Sequence, residues 1–386
     1  MNKVVLLLDG HTVQAISVAR SLKSIGCKVI AFIDNRLSYG YVSRYIDIKI
    51  ISPKVSSDNY KEFLFEYIAK TKIDVIIPLY DDSASFLSQN KVEIERNYET
   101  CCAIVEYDLY IKAADKNKLM EICKKENLPH PETALLSKEN IDEVIKYVGF
   151  PSLIKPNISA GAKGIVLVKD KAELLKRIPE IQEMFGACTL QRYVHHTGYY
   201  YNVMLYRDQY GKFHESVLIK IMRYFPLKGG TSCYCEVVEN NYLVSICQKA
   251  LEIINWVGFA DFDIMEEEKT GEFKIIEINP RIPASIHASF ISNINFPEMV
   301  ILDLLGKQIP EYNMKKGMKM RFLGLDIMWF IFSSNRLKFR PSWFRFWESS
   351  LAYQDGSFKD PLPILMGMMS GIIKYMNPTF RKAKLN

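Results

Sequence analysis

Several common chemistries are missing from this chain. Its eight cysteines (Cys27, Cys101, Cys102, Cys123, Cys188, Cys233, Cys235, Cys247) include no Cys-x-x-Cys pair, which removes zinc ribbons and thioredoxin-type redox motifs. Cys233 and Cys235 are near enough to share a metal but lack a second pair of ligands. The thiols therefore read as reduced and packed, as in a cytoplasmic protein. No leader peptide is expected: Lys3 is followed by "VVLLLDG", too short for a signal h-region and typical of a first buried strand. The apolar runs "FLGLDIMWFIF" and "PILMGMMSGII" both fall short of the roughly twenty residues that cross a bilayer. The first turn reads "DGHTVQ", not the G-x-G-x-x-G cradle of dinucleotide-binding folds. No Ser–His–Asp arrangement, internal repeat or low-complexity tract stands out.

What is present is an ordinary globular composition. The chain has 386 residues, 48% hydrophobic and 24% charged, enough for two or three domains with real cores. The net charge of +6 is unevenly placed: from Arg321 onward ten Lys/Arg face four Asp/Glu, which is the whole excess. That tail is also aromatic ("MWFIFSSNRLKFRPSWFRFW"). Such interleaving suits a membrane surface or nucleic acid. A C-terminal helical appendage packed on the body of the protein is the preferred reading, and surface attachment to a membrane stays open.

Periodicity organises the rest. "VVLLLDG" (4–10), "KVIAFID" (28–34) and "DVIIPLYDD" (74–82) read as strands separated by helical spacing, as in the helix carrying Val13, Ile16, Ala19, Leu22 and Ile25. That order predicts a parallel sheet covered by helices. Residues 1–112 are thus expected to form a Rossmann-like α/β domain, a scaffold with room for part of a substrate site. From Ala113 the pattern becomes α+β and largely antiparallel: "FPSLIKPN" (150–157), "SAGAKGIVLV" (159–168), "CTLQRYV" (188–194), two long strands about "RDQYGK", and a hairpin from "GFADFDIM" to "FKIIEINP".

The hairpin carries the chemistry. Side chains alternate along a strand, so Glu277, Asn279 and Arg281 share a face. With Lys269–Gly271 as the turn, Asp263 falls opposite Glu277 and Asp261 opposite Asn279. Like charges at that spacing repel, whereas hard cations want such an oxygen bed. A solvated polar face is the competing reading, since a one-residue slip removes the pairing. Lys155 ends an apolar strand and calls for an anion. The glycine turn "SAGAKG" would let backbone N–H groups approach phosphate. Arg281 offers a forked donor just past the carboxylates.

Together, "DKNK…LPHPET", "FPSLIKP", "SAGAKGI", "LQRYV" and "GFADFDI…GEFKIIEINPR" resemble the ATP-grasp superfamily. Within it they are most similar to the carboxylate–amine ligases related to carbamoyl-phosphate synthase and D-aspartate ligase. The resemblance covers roughly residues 1–310. It implies an N-terminal α/β domain (1–112), a two-lobed ATP-grasp domain (113–310, lid lobe about 130–190) and a basic aromatic, helical C-terminal appendage (311–386). ATP and magnesium or manganese are the implied cofactors. Lys116 and Lys155 would contact phosphates. Ser159, Gly161, Ala162, Lys163 and Gly164 would close over the γ-phosphate. Gln191, Arg192, Tyr193 and Val194 would form the adenine hinge, with backbone groups of Arg192 and Val194 on the base edge. Asp263, Glu277 and Asn279 would ligate metal, and Arg281 and Lys155 would be catalytic. Arg223, Gly229, Gly230, Thr231 and Ser232 would face the substrate carboxylate. Gln191 stands where the family often has Glu, and no acid in "TGYYYNV" takes the usual ribose position.

The implied reaction activates a carboxylate as an acyl phosphate and joins it to an amine. The partners are small-molecule carboxylates and amines, not nucleic acid, with a homo-oligomer compatible and a cytoplasmic setting, peripheral at a membrane if the tail attaches. His195 and His196 follow the hinge, and His287 lies where an acceptor pocket would be. They are candidates for proton transfer, with polar packing the plainer reading. Two alternatives are a non-catalytic or membrane-recruited nucleotide-binding module and a dinucleotide-dependent oxidoreductase. The first predicts ATP binding without ADP release, and the second predicts a nicotinamide signal on titration.

Overall fold

The computed structural model describes residues 1–158, 163–227 and 229–376. The apolar segments of the N-terminal region form strands β1 (Val4–Leu7), β2 (Lys28–Ile33), β3 (Ile48–Ile51), β4 (Val75–Ile77) and β5 (Cys101–Cys102). They pair in parallel in the order β3-β2-β1-β4-β5, as the alternating strand–helix pattern predicts. β4 stops at Ile77, well short of the strand expected over 74–82, and Asp81 instead begins the helix Asp81–Asn97. The first turn is not a phosphate cradle. The short helix Tyr39–Val42 crosses it so closely that a Cβ on Gly40 would lie 1.8 Å from the Gly10 carbonyl oxygen. That space is filled by backbone, which argues against a dinucleotide there.

A small antiparallel sheet follows, made of β6 (Thr133–Leu135), β7 (Ser152–Pro156), β8 (Val166–Val168) and β9 (Cys188–Arg192) in the order β6-β9-β7-β8. The helices Ile141–Val148 and Lys171–Phe185 cover one face, closing a core around Val148, Ile154, Leu174 and Leu190.

The large sheet contains β10 (His196–Arg207), β11 (Val217–Phe225), β12 (Thr231–Val238), β13 (Gly258–Glu267), β14 (Phe273–Asn279), β15 (Lys319–Arg321) and β16 (Leu351–Tyr353). Its order is β14-β13-β10-β11-β12-β15-β16. One face, through Val203, Leu205, Phe262 and Ile264, packs on the helix Asn241–Ile254 and its neighbours. The other, through Met204, Tyr206, Ile219 and Ile221, shares a core with Val5, Leu7, Ala31 and Ile77 of the N-terminal sheet.

Residues 311–386 are therefore more than a helical appendage. The helices Leu323–Phe332 and Leu362–Met376 are there, but β15 pairs with β12 and β16 with β15. A boundary at 310 cuts the sheet. Three-residue strands in a Lys/Arg-rich stretch carry too little alternation to be seen in sequence.

Candidate active site

The β13–β14 hairpin sets Asp263 opposite Glu277 and Asp261 opposite Asn279. The pairing is the expected one, but the route differs. The turn is longer than Lys269–Gly271: Glu267 N–H bonds to the Glu272 carbonyl at 2.8 Å, so the strands start one residue out of the expected register. A bulge at Ile276, between the Asp263 and Ile264 pairs, restores it.

The acidic pairs lie on the sheet face turned toward the N-terminal domain. Asp261 pairs with Met204 and Asp263 with Asn202 on β10, and directly paired residues point the same way. The core that Met204 enters gives way there to polar groups. Asn202 Nδ2 donates to Asp263 Oδ1, a contact not foreseen in the sequence. Asn279 Nδ2 donates to Asp261 and Asp263 at 3.3 and 3.4 Å. The buried Asp261 Oδ1 has no partner.

The carboxylates are unequal. Burial, then the Glu277 and Asp261 charges, drives the Asp263 carboxyl well above its ordinary range. Burial pushes Asp261 up to about 8 despite Arg281. Burial also opposes ionisation of Glu277, but Lys116 and Lys155 outweigh it and hold that carboxyl low. Lys116 Nζ lies 3.3 Å from Glu277 Oε2, on the first turn of the helix Lys116–Lys125 whose Asp115 cap accepts from the Asn117 and Lys118 N–H groups. Lys155 is buried at the end of β7 and donates to Gln191 Oε1 at 2.6 Å. Burial lowers its pKa to about 8, against the pull of Glu277.

Arg281 is clamped by Asp81 through two bonds of 3.0 and 3.1 Å, and a third reaches Asn279 Oδ1 at 3.2 Å. Asp81 comes from the N-terminal domain and was hidden in a segment that reads as strand. Lys116, Lys155, Arg281, Asp263, Glu277 and Asn279 thus gather at one place. Among the described residues no three His, Cys, Asp or Glu side chains converge as a metal cluster. Magnesium needs fewer, because it takes one or two carboxylates plus substrate phosphates.

Other expected residues fall differently. Gln191 is buried, and its amide is committed to Lys155 and, at 3.0 Å, to Thr133 Oγ1. It positions the lysine and is not free to read a base. The Arg192 N–H is committed to the Glu132 carbonyl at 2.8 Å and its side chain to Glu132. Tyr193 N–H bonds to Pro151, and Val194 is buried. Ser159, Gly161 and Ala162 lie outside the described residues. Lys163 is exposed, and Gly164, at φ +73°, sits where a Cβ would meet Pro156 and Phe185 within 3 Å.

The substrate role expected of Arg223 is not supported. Its side chain is fully buried, bonded through Nε and Nη2 to Asp326 at 2.7 and 2.9 Å and through Nη1 to the Pro341 carbonyl. A guanidinium so enclosed cannot meet a ligand. Gly229 and Thr231 are exposed and Ser232 is buried at the start of β12. Gly230 is required by packing, since a Cβ would lie 2.3 Å from Phe225 backbone. His287 is buried against Ser17 Oγ at 3.1 Å, in the packing of the helices Gln14–Ser24 and His287–Ile291, and does not line an acceptor pocket. The half-buried His196 accepts from Gly198 N–H, and the His195 carbonyl accepts from Glu268 N–H, both local packing. Cys233 and Cys235 are buried free thiols.

Known proteins share this arrangement of elements. The family described as "ATP-grasp in the biosynthetic pathway with Ter operon" matches residues 212–324, running past the expected boundary at 310. D-aspartate ligase of Enterococcus faecium is 21% identical over 77% of this chain and 76% of its own length. The carbamoyl phosphate synthase large chain of Archaeoglobus fulgidus is 22% identical over 55% of this chain, but this stretch is only 20% of that protein. The biotin carboxylase domain of 2-oxoglutarate carboxylase from Hydrogenobacter thermophilus, solved with MgADP, ADP and bicarbonate, superimposes with a TM-score of 0.69. It is 17% identical, covering 83% of this chain and 73% of that one. The fold, the sequence relatives and the family match point the same way: this chain is similar to ATP-grasp proteins, carboxylate–amine ligases among them.

Proposed function

We propose that the protein uses ATP to activate a carboxylate as an acyl phosphate and joins it to an amine, forming an amide or peptide bond. The observation that supports this most is the pairing of Asp263 with Glu277 on a half-buried sheet face, with cations on one side and an orphaned oxygen on the neighbouring, buried Asp261. Such a bed resists joint ionisation and favours a divalent ion. Asp263, Glu277 and Asn279 would hold magnesium or manganese, which when bound supplies charge neutralisation at the phosphates.

The chain's own groups do the rest. Lys116 and Lys155 bring positive charge to the phosphates, and Arg281 steadies the γ-phosphoryl group and the acyl phosphate. A substrate carboxylate oxygen bonds to the γ-phosphorus as the bond to the ADP oxygen breaks. The amine then attacks the acyl carbon, loses a proton, and inorganic phosphate leaves. The segment 159–164 is assigned to covering this site, because an acyl phosphate hydrolyses in open water.

The amine is assigned to a cavity of about 210 Å³ at the carboxyl ends of β1–β4, where open α/β sheets receive ligands. Asp34 and Asp82 stand with His11 and Lys54 there, a polar lining of mixed charge, and burial pushes the Asp9 carboxyl up. The test is ADP release against a matrix of carboxylates and amines, with mass spectrometry of the product. Glu277→Ala is expected to abolish magnesium-dependent ADP formation while leaving the circular dichroism spectrum unchanged. Wild-type turnover in that variant would refute the metal assignment.

A further inference from the structure

The helix Leu362–Met376 carries one charged residue, Lys374, in its sequence. Its buried side is fixed: Pro363 is buried, and Gly367 lies so near Tyr39 that a Cβ would be 2.2 Å from the ring. Leu362, Leu365, Met369, Ile373 and Met376 are all exposed, between 51% and 74%. Their spacing of three and four residues makes one stripe. A helix that faces only water puts polar residues there.

The stripe has matching neighbours. The helix Leu323–Phe332 packs against it and ends in exposed Ile331 and Phe332. The loops that follow expose Leu337, Phe344, Trp347 (91%) and Phe358 (107%). Single exposed apolar residues are ordinary, but so many on adjoining elements mark an interaction surface.

Charge tells what that surface meets. Between residues 323 and 376 the acids are turned inward: Asp326, Asp355 and Asp360 are buried, and Glu348 is tied to Lys319 and Arg345. Asp355 accepts from the Leu323 and Gly324 N–H groups and Asp360 from the Ser43 hydroxyl. Arg336, Lys338, Arg340 and Lys359 are exposed. The chain beyond Met376 adds Arg381, Lys382 and Lys384 and no acid. A two-fold dimer through this face would oppose like charges. A nucleic acid would leave the apolar stripe in water.

We propose that this C-terminal face docks the protein on an anionic lipid surface, with the helix Leu362–Met376 lying in the interface and Trp347 and Phe358 at headgroup level. Among the described residues no helix is long and apolar enough to cross a membrane, so the contact is peripheral. It does not depend on the catalytic reading.

The test is flotation of the full chain with phosphatidylcholine vesicles, with and without phosphatidylglycerol. The wild type is expected to float with the anionic vesicles and not with the neutral ones. Arg336→Glu/Lys338→Glu/Arg340→Glu should weaken binding at least about a hundredfold, since each basic residue near such a surface contributes about fivefold. Leu365→Glu/Met369→Glu should abolish flotation with no shift in thermal unfolding. Three results would overturn the proposal. One is wild type left at the bottom with anionic vesicles. Another is equal flotation of wild type and the Leu365→Glu/Met369→Glu variant. The third is a wild-type dimer, blind to vesicles, that the same variant splits to monomers.

Discussion

Two groups of charge sit on the same seven-stranded sheet, and they are built in opposite ways. Between β11, β15 and the helix Leu323–Phe332, Asp326 receives Arg223 on both oxygens and Arg321 at 2.6 Å. The remaining guanidinium bonds go to the Pro341, Arg345 and Trp343 carbonyls, and aromatic rings cover both arginines. Every charge there has its partner. On β13 and β14, Asp261 and Asp263 stand beside Glu277, one Asp261 oxygen is orphaned, and burial works against ionisation of the two aspartates. A closed network ties the C-terminal segment to the sheet. An open one has capacity left for a ligand.

That contrast can be broken experimentally. Asp326→Ala leaves two buried guanidiniums without their anion, a situation that costs about 3–5 kcal/mol. Urea unfolding should show that loss, with turnover per folded molecule little changed. Asp263→Asn should leave stability unchanged or raised, because burial and the Glu277 and Asp261 charges already disfavour that carboxylate. If both substitutions destabilise equally, the distinction between closed and open clusters fails.

A smaller effect is expected at the join between the domains. Asp81→Asn keeps the shape but removes the ionic clamp on Arg281. Hydrogen bonds to charged groups contribute about 1.5–3 kcal/mol, so turnover should fall about tenfold to a hundredfold. An unchanged kcat would show that Arg281 needs no such anchor.

The smallest effect concerns His287, a buried polar group outside both clusters. Burial first, then the Arg20 charge, lowers its pKa to about 3. An unfolded chain takes that proton near pH 6.5. Stability held above 6.5 is therefore lost as pH falls from 6.5 toward 3, on the order of 1.4 kcal/mol per unit. In denaturation series from pH 7 to 5, His287→Gln should flatten that slope, and an identical slope would contradict the assignment.

How much of this the sequence discloses depends on the range of the contact. The parallel N-terminal sheet and the acidic hairpin are local patterns, and alternation over a few residues reveals them. The hairpin also shows how a correct pairing can rest on an incomplete premise, because the longer turn and the Ile276 bulge compensate each other. Asp81 and Arg281 are 200 positions apart, and nothing near "PLYDD" announces a partner. The resemblance makes Arg223 a substrate contact, whereas β15 and Asp326, 103 positions away, close over it. The resemblance places Gln191 at the hinge, but its tie to Lys155 required two strands to meet.

The central claim is that the open cluster is completed by a metal-bound nucleotide. Calorimetric titration of a non-hydrolysable ATP analogue, with magnesium and with chelator, tests it most directly on wild type and Glu277→Gln. The account predicts that magnesium strongly tightens binding to wild type and that Glu277→Gln removes that increment. Equal affinity with and without magnesium in wild type, or an undiminished magnesium increment in the variant, would contradict it.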